Sequence, residues 1–311
     1  MRAPSAGPQS RQLFTKSLFS ILFPSLTLLL VLVSFRGISP GTPFLLIILV
    51  AGVVILGLPH GALDPFVAKQ LWGARQSFSM IGFLLLYTSI AALCAVIWFI
   101  TPNAALVGFL IISAYHFGSD WDGRCIAWGK TAFGISIVCV STLFKADKVE
   151  EIYQQLGASI AHQVVTVSQV LAVVGIVAAL LAASSRSKFR ISNLLELSTV
   201  VVGGFFLPPL LFFVCYFCLL HSPRHLMQTA RTLGLGGIGD IARSAAPAVL
   251  ATLVLGIGLW IVLPDALYSK KVIQLVFISL AALTAPHMLL TEFSLRRNLL
   301  SLSAAGCADL P

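Results

Sequence analysis

Histidines are the residues of this chain best suited to chemistry, and five of the six lie at the end of an apolar segment or inside one. These five are His60, His116, His221, His225 and His287. Ionisable side chains are costly in apolar surroundings, so those found there are candidates for function. Neutral imidazole is a good ligand for Zn, Cu or Fe. We therefore predict that at least three of the five share one metal ion, whereas His162, in a polar connection, is an ordinary solvated histidine.

The strongest local pattern is the HxxxH formed by His221 and His225. Residues four apart share a face of a helix, so both rings can reach one ion. Between them, Ser222 and Pro223 are typical of an N-cap and of the first position of a helix. This pattern places His221 just before a helix and His225 in its first turn, where the two rings can still converge.

Acidic residues follow some of the histidines at short range. Asp64 and Asp120 each come four residues after a histidine. A metal-bound imidazole usually donates its second N–H to a carboxylate or a carbonyl oxygen. These aspartates are therefore either the carboxylates that orient metal ligands or charges at helix ends near the lipid headgroups. Glu292 is either a partner of His287 or a charged residue at headgroup level.

The elements that must position these side chains are helices in lipid. Of the 311 residues, 58% are hydrophobic and 10% are charged, and the mean hydropathy is +0.97. Soluble domains carry about 25% charged residues, so this chain requires a second, apolar solvent. We predict an all-α, polytopic bundle of about 8–10 transmembrane helices, because about nine apolar segments approach the ~20 residues that a bilayer requires. The segments run approximately over residues 17–35, 42–60, 79–100, 104–119, 130–145, 164–183, 193–221, 246–264 and 272–292.

The chain is predicted to consist of a cytoplasmic N-terminal tail (1–16), a single transmembrane catalytic domain (17–292) and a C-terminal tail (293–311). More of the 20 Lys and Arg residues fall on the side of the N-terminus, which favours an N-terminus inside, in a multi-pass protein of the cell membrane. The net charge of +9 is spread thinly, so it indicates contact with lipid headgroups and argues against nucleic acid as a partner. Residues 222–245 are predicted to form a surface loop with a short interfacial helix.

Two local features qualify this picture. Cys215 and Cys218 form a CxxC, but without a second CxxC the pair is predicted to be small buried hydrophobic residues. A model of nine spans also contains a conflict, since it puts His60 and His116 on the inner side and His221 on the outer side. Pro208 and Pro209 interrupt the seventh segment, and a division there would bring the histidines to one side.

Several of these motifs together resemble the Brp/Blh family of bacterial and archaeal membrane proteins. The resemblance covers approximately residues 42–292. The spacing of the histidines also resembles that of the family. About 56 residues separate His60 from His116, and about 105 separate His116 from the HxxxH pair. The motifs that carry the resemblance are Gly57-Leu58-Pro59-His60 with Asp64, Tyr115-His116-Phe117 with Asp120, His221-Ser222-Pro223-Arg224-His225, and Pro286-His287-Met288.

The family's activity is that of a β-carotene 15,15′-dioxygenase, which splits the central double bond of β-carotene with O2 to give two molecules of retinal, using non-haem iron. The resemblance thus implies an Fe(2+) cofactor, β-carotene and O2 as substrates, membrane lipid as surroundings, and retinal that would supply a rhodopsin. It implies that the metal ligands are His60, His116, His221 and His225. His287 would be a further ligand or a pocket residue.

Aromatic residues are the candidates for binding the polyene. The resemblance points to Tyr115, Phe117, Tyr216 and Phe217. The aromatic stretch that contains the last two, with Phe205, Phe206, Phe212 and Phe213, either lines a groove for the polyene or packs against lipid and other helices.

Two other functions remain open on the residues alone. The first is a membrane di-iron desaturase or hydroxylase, but those enzymes use HxxxH and HxxHH boxes with more histidines than the six found here. The second is a transporter that binds a retinoid or a metal without any reaction. Transporters usually show internal repeats, and this sequence has no clear repeat.

Overall fold

The computed structural model describes residues 8–36, 41–73, 79–121, 125–185, 190–264 and 267–308, and every regular element within these ranges is helical. The predicted all-α class is therefore confirmed. The α-helices are α1 (Pro8–Phe35), α2 (Thr42–Gly52), α3 (Asp64–Trp72), α4 (Met80–Ile100), α5 (Pro102–Gly118), α6 (Ala127–Phe144), α7 (Ala146–Gln155), α8 (Ala161–Ser185), α9 (Arg190–Phe206), α10 (Pro209–Tyr216), α11 (Ser222–Thr232), α12 (Ile238–Val262) and α13 (Tyr268–Ala308).

Seven helical stretches within the described ranges are long and apolar enough to cross a membrane, and part of α1, Ile21–Phe35, is a shorter apolar helix. Their number and composition confirm a multi-pass membrane protein. Two of the seven are composite, because α2 continues into α3 and α10 continues into α11. The seven are Thr42–Trp72, Met80–Ile100, Ala127–Phe144, Ala161–Ser185, Pro209–Thr232, Ile238–Val262 and Tyr268–Leu295.

The predicted seventh segment is two helices rather than one. Helix α9 ends at Phe206, and α10 begins at Pro209 after an extended residue, Pro208. Proline lacks an N–H and its ring blocks the continuation of a helix, which explains the break. The prediction of a surface loop over residues 222–245 was wrong for most of its length, because α11 begins at Ser222 and α12 begins at Ile238. Only residues 233–237 lie between the two helices.

The predicted tails have helical parts. Helix α1 begins at Pro8, within the predicted N-terminal tail, and α13 continues to Ala308, within the predicted C-terminal tail. The assignment of residues 17–292 to one catalytic domain stays a prediction.

Helix α5 lies directly against α6. A Cβ atom on Gly134 of α6 would come within 1.8 Å of the carbonyl oxygen of Ala114, and one on Gly118 would come within 2.6 Å of the carbonyl oxygen of Lys130. The two backbones therefore touch, as is usual where small residues join membrane helices. This contact fixes the end of α5 that carries His116.

Two π-helical turns adjoin histidines of the cluster. Val53–Gly57 leads through a 3₁₀ turn to His60, and Phe217–His221 ends at His221 itself. Such turns are rare and occur frequently at functional sites, because each one rotates the residues that follow it. The two turns also touch, since a Cβ on Gly57 would lie 2.7 Å from the ring of Phe217.

Candidate metal centre

The five predicted histidines converge on one place in the bundle. The ring centroids of His116 and His221 lie 4.5 Å apart, and those of His60 and His287 lie 5.2 Å apart. The ring of His225 lies 5.4 Å from both His116 and His221. The nine-span model had put His221 on the side opposite to His60 and His116. The three rings lie together instead, in agreement with a seventh segment divided at Pro208.

Three of the rings are held by hydrogen bonds at Nδ1. His287 Nδ1 lies 2.9 and 3.0 Å from the two carboxylate oxygens of Asp64, and His221 Nδ1 lies 3.1 Å from a carboxylate oxygen of Asp120. His60 Nδ1 contacts the carbonyl oxygen of Gly57. An Nδ1–H that donates to an oxygen leaves Nε2 with its lone pair, which is the form of imidazole that binds a metal.

The nitrogens that face the cluster suit a metal ion. One ring nitrogen from each of His60, His116 and His287 lies within 4.8 Å of the others. The Nε2 atoms of His116 and His221 are 3.0 Å apart, and two ligands at right angles with bonds of about 2.1 Å would also be about 3.0 Å apart. The buried Nε2 of His287 and Nδ1 of His225 have no hydrogen-bond partner among the described residues. Buried polar atoms normally have a partner, so this donor set fits a bound ion.

The aspartates do lie beside the histidines, but each is paired with a different histidine from the one that precedes it. Asp64 accepts from His287 rather than from His60, and Asp120 accepts from His221 rather than from His116. The backbone between each histidine and its aspartate passes through a 3₁₀ or non-helical turn, so the spacing of four does not place them side by side. Glu292 is not a partner of His287; it lies 3.3 Å from the hydroxyl of Tyr115, which donates to it.

Behind Asp120 lies a buried polar network that the sequence reasoning missed. Tyr216 donates its hydroxyl to the carboxylate of Asp120. Arg224 lies 3.4 Å from the carbonyl oxygen of Asp120 and forms an ion pair of 2.8 Å with Glu196. The indole of Trp121 donates to Glu196 at 3.1 Å. The sequence did contain an indication of this network. Glu196 lies within an apolar segment, where a charge is costly without a partner.

A second missed residue is Tyr87 on α4. Its hydroxyl donates to Asp64 at 2.8 Å, so the carboxylate that orients His287 is itself held by a hydrogen bond from α4. A lone tyrosine in an apolar helix gives no indication of such a partner, because the contact joins residues on different helices.

An apolar cavity of about 590 Å³ opens onto the histidines. Its wall includes His60, His116 and His287, together with residues of α4, α5, α12 and α13. Cavities of this size that combine an apolar wall with a few polar groups are typical of small-molecule sites. An apolar ligand in this cavity would lie directly against the candidate metal ligands.

Of the four predicted substrate-binding residues, two line this cavity and two do not. Phe117 and Phe217 line this cavity. Tyr216 lies behind Asp120 and lines a separate cavity of about 120 Å³. Tyr115 lies outside both cavities and is 60% exposed, because it precedes His116 on α5 and neighbouring helical residues point in different directions.

The remaining aromatic residues of the stretch lie in two different places. Phe213 lines the large cavity and stacks on Phe217 at 5.3 Å between centroids. Phe205 and Phe206 pack against one another at 4.5 Å, away from it. Within this stretch, the residues that line the cavity therefore follow directly after those that pack against one another.

His162 is solvated and the cysteines of the CxxC are buried, as predicted. The side chain of His162 is exposed and its Nδ1 lies 3.0 Å from Glu150. Cys215 and Cys218 are buried and free, and the Sγ atom of Cys218 packs close to Gly52 of α2.

With this geometry in place, comparison with known proteins decides the family. The family model described as "Beta-carotene 15,15'-dioxygenase" matches residues 51–294, which include all five clustered histidines. The chain belongs to the β-carotene 15,15′-dioxygenase family. It is therefore a carotenoid-cleaving dioxygenase, and the resemblance to the Brp/Blh family is confirmed over the desaturase and transporter alternatives.

Two relatives agree with this assignment. A protein of the uncultured marine bacterium 66A03 named beta-carotene 15,15'-dioxygenase is 28% identical over 254 residues, which cover 78% of this chain and 92% of that protein. A protein of Halobacterium salinarum named probable beta-carotene 15,15'-dioxygenase Blh is 27% identical over 286 residues, which cover 77% of this chain and 81% of that protein. No solved structure matches the chain.

Proposed function

We propose that this protein cleaves the central 15,15′ double bond of β-carotene with O2 at an Fe2+ ion held by the histidine cluster. Each carbon of the broken double bond receives one oxygen atom of O2, so the products are two molecules of all-trans-retinal. The observation that carries the proposal is the apolar cavity whose wall contains three of the five histidines. The family and the names of both relatives support the same substrate.

The ligands would be His60, His116, His221 and His225, with His287 as a further ligand. Ring nitrogens of His60, His116 and His287 lie within 4.8 Å of one another. Nε2 of His221 lies 3.0 Å from that of His116, and Nε2 of His287 is buried without a hydrogen-bond partner among the described residues. An all-imidazole donor set suits iron. When bound there, Fe2+ supplies the one-electron chemistry that lets O2 react with a hydrocarbon.

The protein's own groups orient the ligands. Asp64 and Asp120 accept the Nδ1–H of His287 and His221, so the Nε2 lone pairs of both rings point into the cluster. Tyr87 and Tyr216 donate to these two carboxylates and so restrict their rotation. The rings are thus held in position before substrate arrives.

The cavity wall orients the polyene and keeps water away from it. Its lining includes the aromatic rings of Phe117, Phe213 and Phe217, which an apolar chain can contact without displacing any hydrogen bond. The cavity is bordered by α4 and α12, whose outward faces are exposed and apolar, for example at Leu85 and Val254. β-Carotene dissolved in the membrane would therefore reach the cavity from the lipid.

The test is cleavage in cells that accumulate β-carotene. We expect the wild-type protein, in the cell membrane fraction, to convert the pigment to retinal, which chromatography of the extracts measures. Alanine variants of the five clustered histidines should lose this activity, and the purified proteins should lose bound iron. A matched control is His162→Ala, since His162 is exposed and distant from the cluster.

Two results would oppose the proposal. Persistence of β-carotene with well-expressed wild-type protein would show that the substrate or the cleavage position is different. Equal iron content in the wild type and in all five variants would show that the cluster does not hold the metal. Retinal released by an active enzyme could supply a rhodopsin, which co-expression of an opsin and its absorption spectrum would test.

A further inference from the structure

The large cavity is elongated along the helix axes. On α4 its lining runs from Phe83 to Ala95, and on α12 it runs from Ala248 to Leu259. These stretches are about 18 and 16 Å long at 1.5 Å per residue. A cavity of this shape suits a rod-like ligand that lies parallel to the helices.

The histidines lie near one end of this length. Tyr87 on α4 and His287 on α13 meet at Asp64, which marks the level of the cluster. On α13 the lining begins at Ile278, nine residues before His287, which is about 13 Å along the helix axis. The cavity therefore extends about 13 Å from the candidate metal ligands to its far end.

The far end is lined by apolar side chains from five helices. The ring of Phe277, the residue before Ile278 on α13, lies 5.2 Å from the ring of Phe213 and 6.5 Å from that of Phe109. These rings separate the large cavity from the smaller one, since both cavities share Phe109 and Phe213 in their walls. The lining residues at the far end are Ala95, Phe109, Phe213, Leu259 and Ile278.

We propose that this far end is the binding subsite for one terminal ring of the carotenoid, and that its depth selects the double bond presented to the histidines. The inference rests on the proposed function. From the centre of β-carotene to its terminal ring there are about nine bonds, and an extended chain advances about 1.2 Å per bond, or roughly 11 Å in all. This length matches the distance from the cluster to the far end, so a ring seated there places the central double bond at the histidines.

The subsite predicts which residue determines the cleavage position. Ala95 carries the smallest side chain of the five, so an aromatic ring at this position would occupy the space of the terminal ring. Neighbouring double bonds of an extended polyene lie about 2.4 Å apart, which is less than the size of a phenyl ring. The polyene would then enter less deeply, and an adjacent double bond, nearer the seated ring, would meet the cluster.

The experiment compares Ala95→Phe with Val96→Phe in cells that accumulate β-carotene. Val96 is the next residue on α4, is 49% exposed and does not line the cavity, so the control adds the same ring outside the subsite. We expect Val96→Phe to yield retinal alone. We expect Ala95→Phe to yield at least a tenfold smaller share of retinal, together with one shorter and one longer carbonyl product. The stoichiometry is unchanged, with one oxygen atom of O2 on each new carbonyl.

The outcomes separate this inference from the proposed function. Failure of the wild-type protein to cleave β-carotene would oppose the proposed function itself. Equal retinal yields from Ala95→Phe and the wild type, at equal membrane levels, would refute the subsite. If Ala95→Phe loses all cleavage, Ile278→Ala in the same chain should restore it by lengthening the cavity, and failure to restore it would also overturn the inference.

Discussion

Replacement of Asp120 by asparagine tests whether the carboxylate behind His221 controls metal binding. Asp120 accepts hydrogen bonds from His221 Nδ1 and from the hydroxyl of Tyr216. Both bonds end on the same carboxylate oxygen, Oδ2. An asparagine has the same shape, but it has a single acceptor oxygen and no negative charge to strengthen the imidazole as a ligand. If its amide N–H faces His221, the ring must place its proton on Nε2, the atom that points toward His116, and that nitrogen then has no lone pair for the metal.

The magnitude follows from the role of such carboxylates. Loss of a group that orients a metal ligand typically lowers metal affinity by about 10- to 100-fold, or roughly 1.4–2.7 kcal/mol. The assay is anaerobic titration of the metal-free protein in detergent with Fe2+, for the wild type and for Asp120→Asn. Asp147→Asn is the control, because Asp147 is exposed on α7. An affinity for Asp120→Asn within about twofold of the wild type, in a protein with unchanged thermal unfolding, would refute the reasoning.

Three further predictions concern the outer parts of the site and its support. Tyr87→Phe removes the hydroxyl that donates to Asp64, and we expect up to about tenfold weaker Fe2+ binding in the same titration. Glu196→Gln removes the carboxylate that forms the ion pair with the buried guanidinium of Arg224, which should cost about 3–5 kcal/mol of stability and appear as a lower thermal unfolding temperature. Gly134→Ala puts a Cβ against the backbone of α5, so we expect a poorly folded protein that elutes as aggregate in size-exclusion chromatography.

Each of these three substitutions has a matched control elsewhere in the chain. Tyr268→Phe and Glu151→Gln alter exposed side chains, and Gly108→Ala adds a methyl group where no atom lies within 4 Å. We expect wild-type behaviour from the first two and equal or slightly greater stability from the third, because alanine favours a helix over glycine by about 0.5–1 kcal/mol. A control that behaves like its test variant would contradict the structural reason given for that variant.

The sequence by itself determined the solvent and indicated the chemistry. A chain with 10% charged residues must place most of its surface in lipid, so helices were the expected elements. An ionisable residue within such a helix is costly, so it is a candidate for function. Five histidines in apolar surroundings therefore indicated a shared metal ion before any contact was known. Both conclusions depend only on residue type and on local apolar length.

Only the tertiary structure decided how the ionisable groups are paired. Asp64 follows His60 in the chain, yet it holds His287, which lies 223 residues away. Likewise, the partner of Asp120 is His221, although His116 is its neighbour in sequence. A hydrogen bond depends on the direction of two side chains within a few tenths of an ångström, and here that direction depends on π turns, proline breaks and helix contacts. These are set by packing between distant segments, so a pattern of local spacings identified the residues of the site but not the partner of each one.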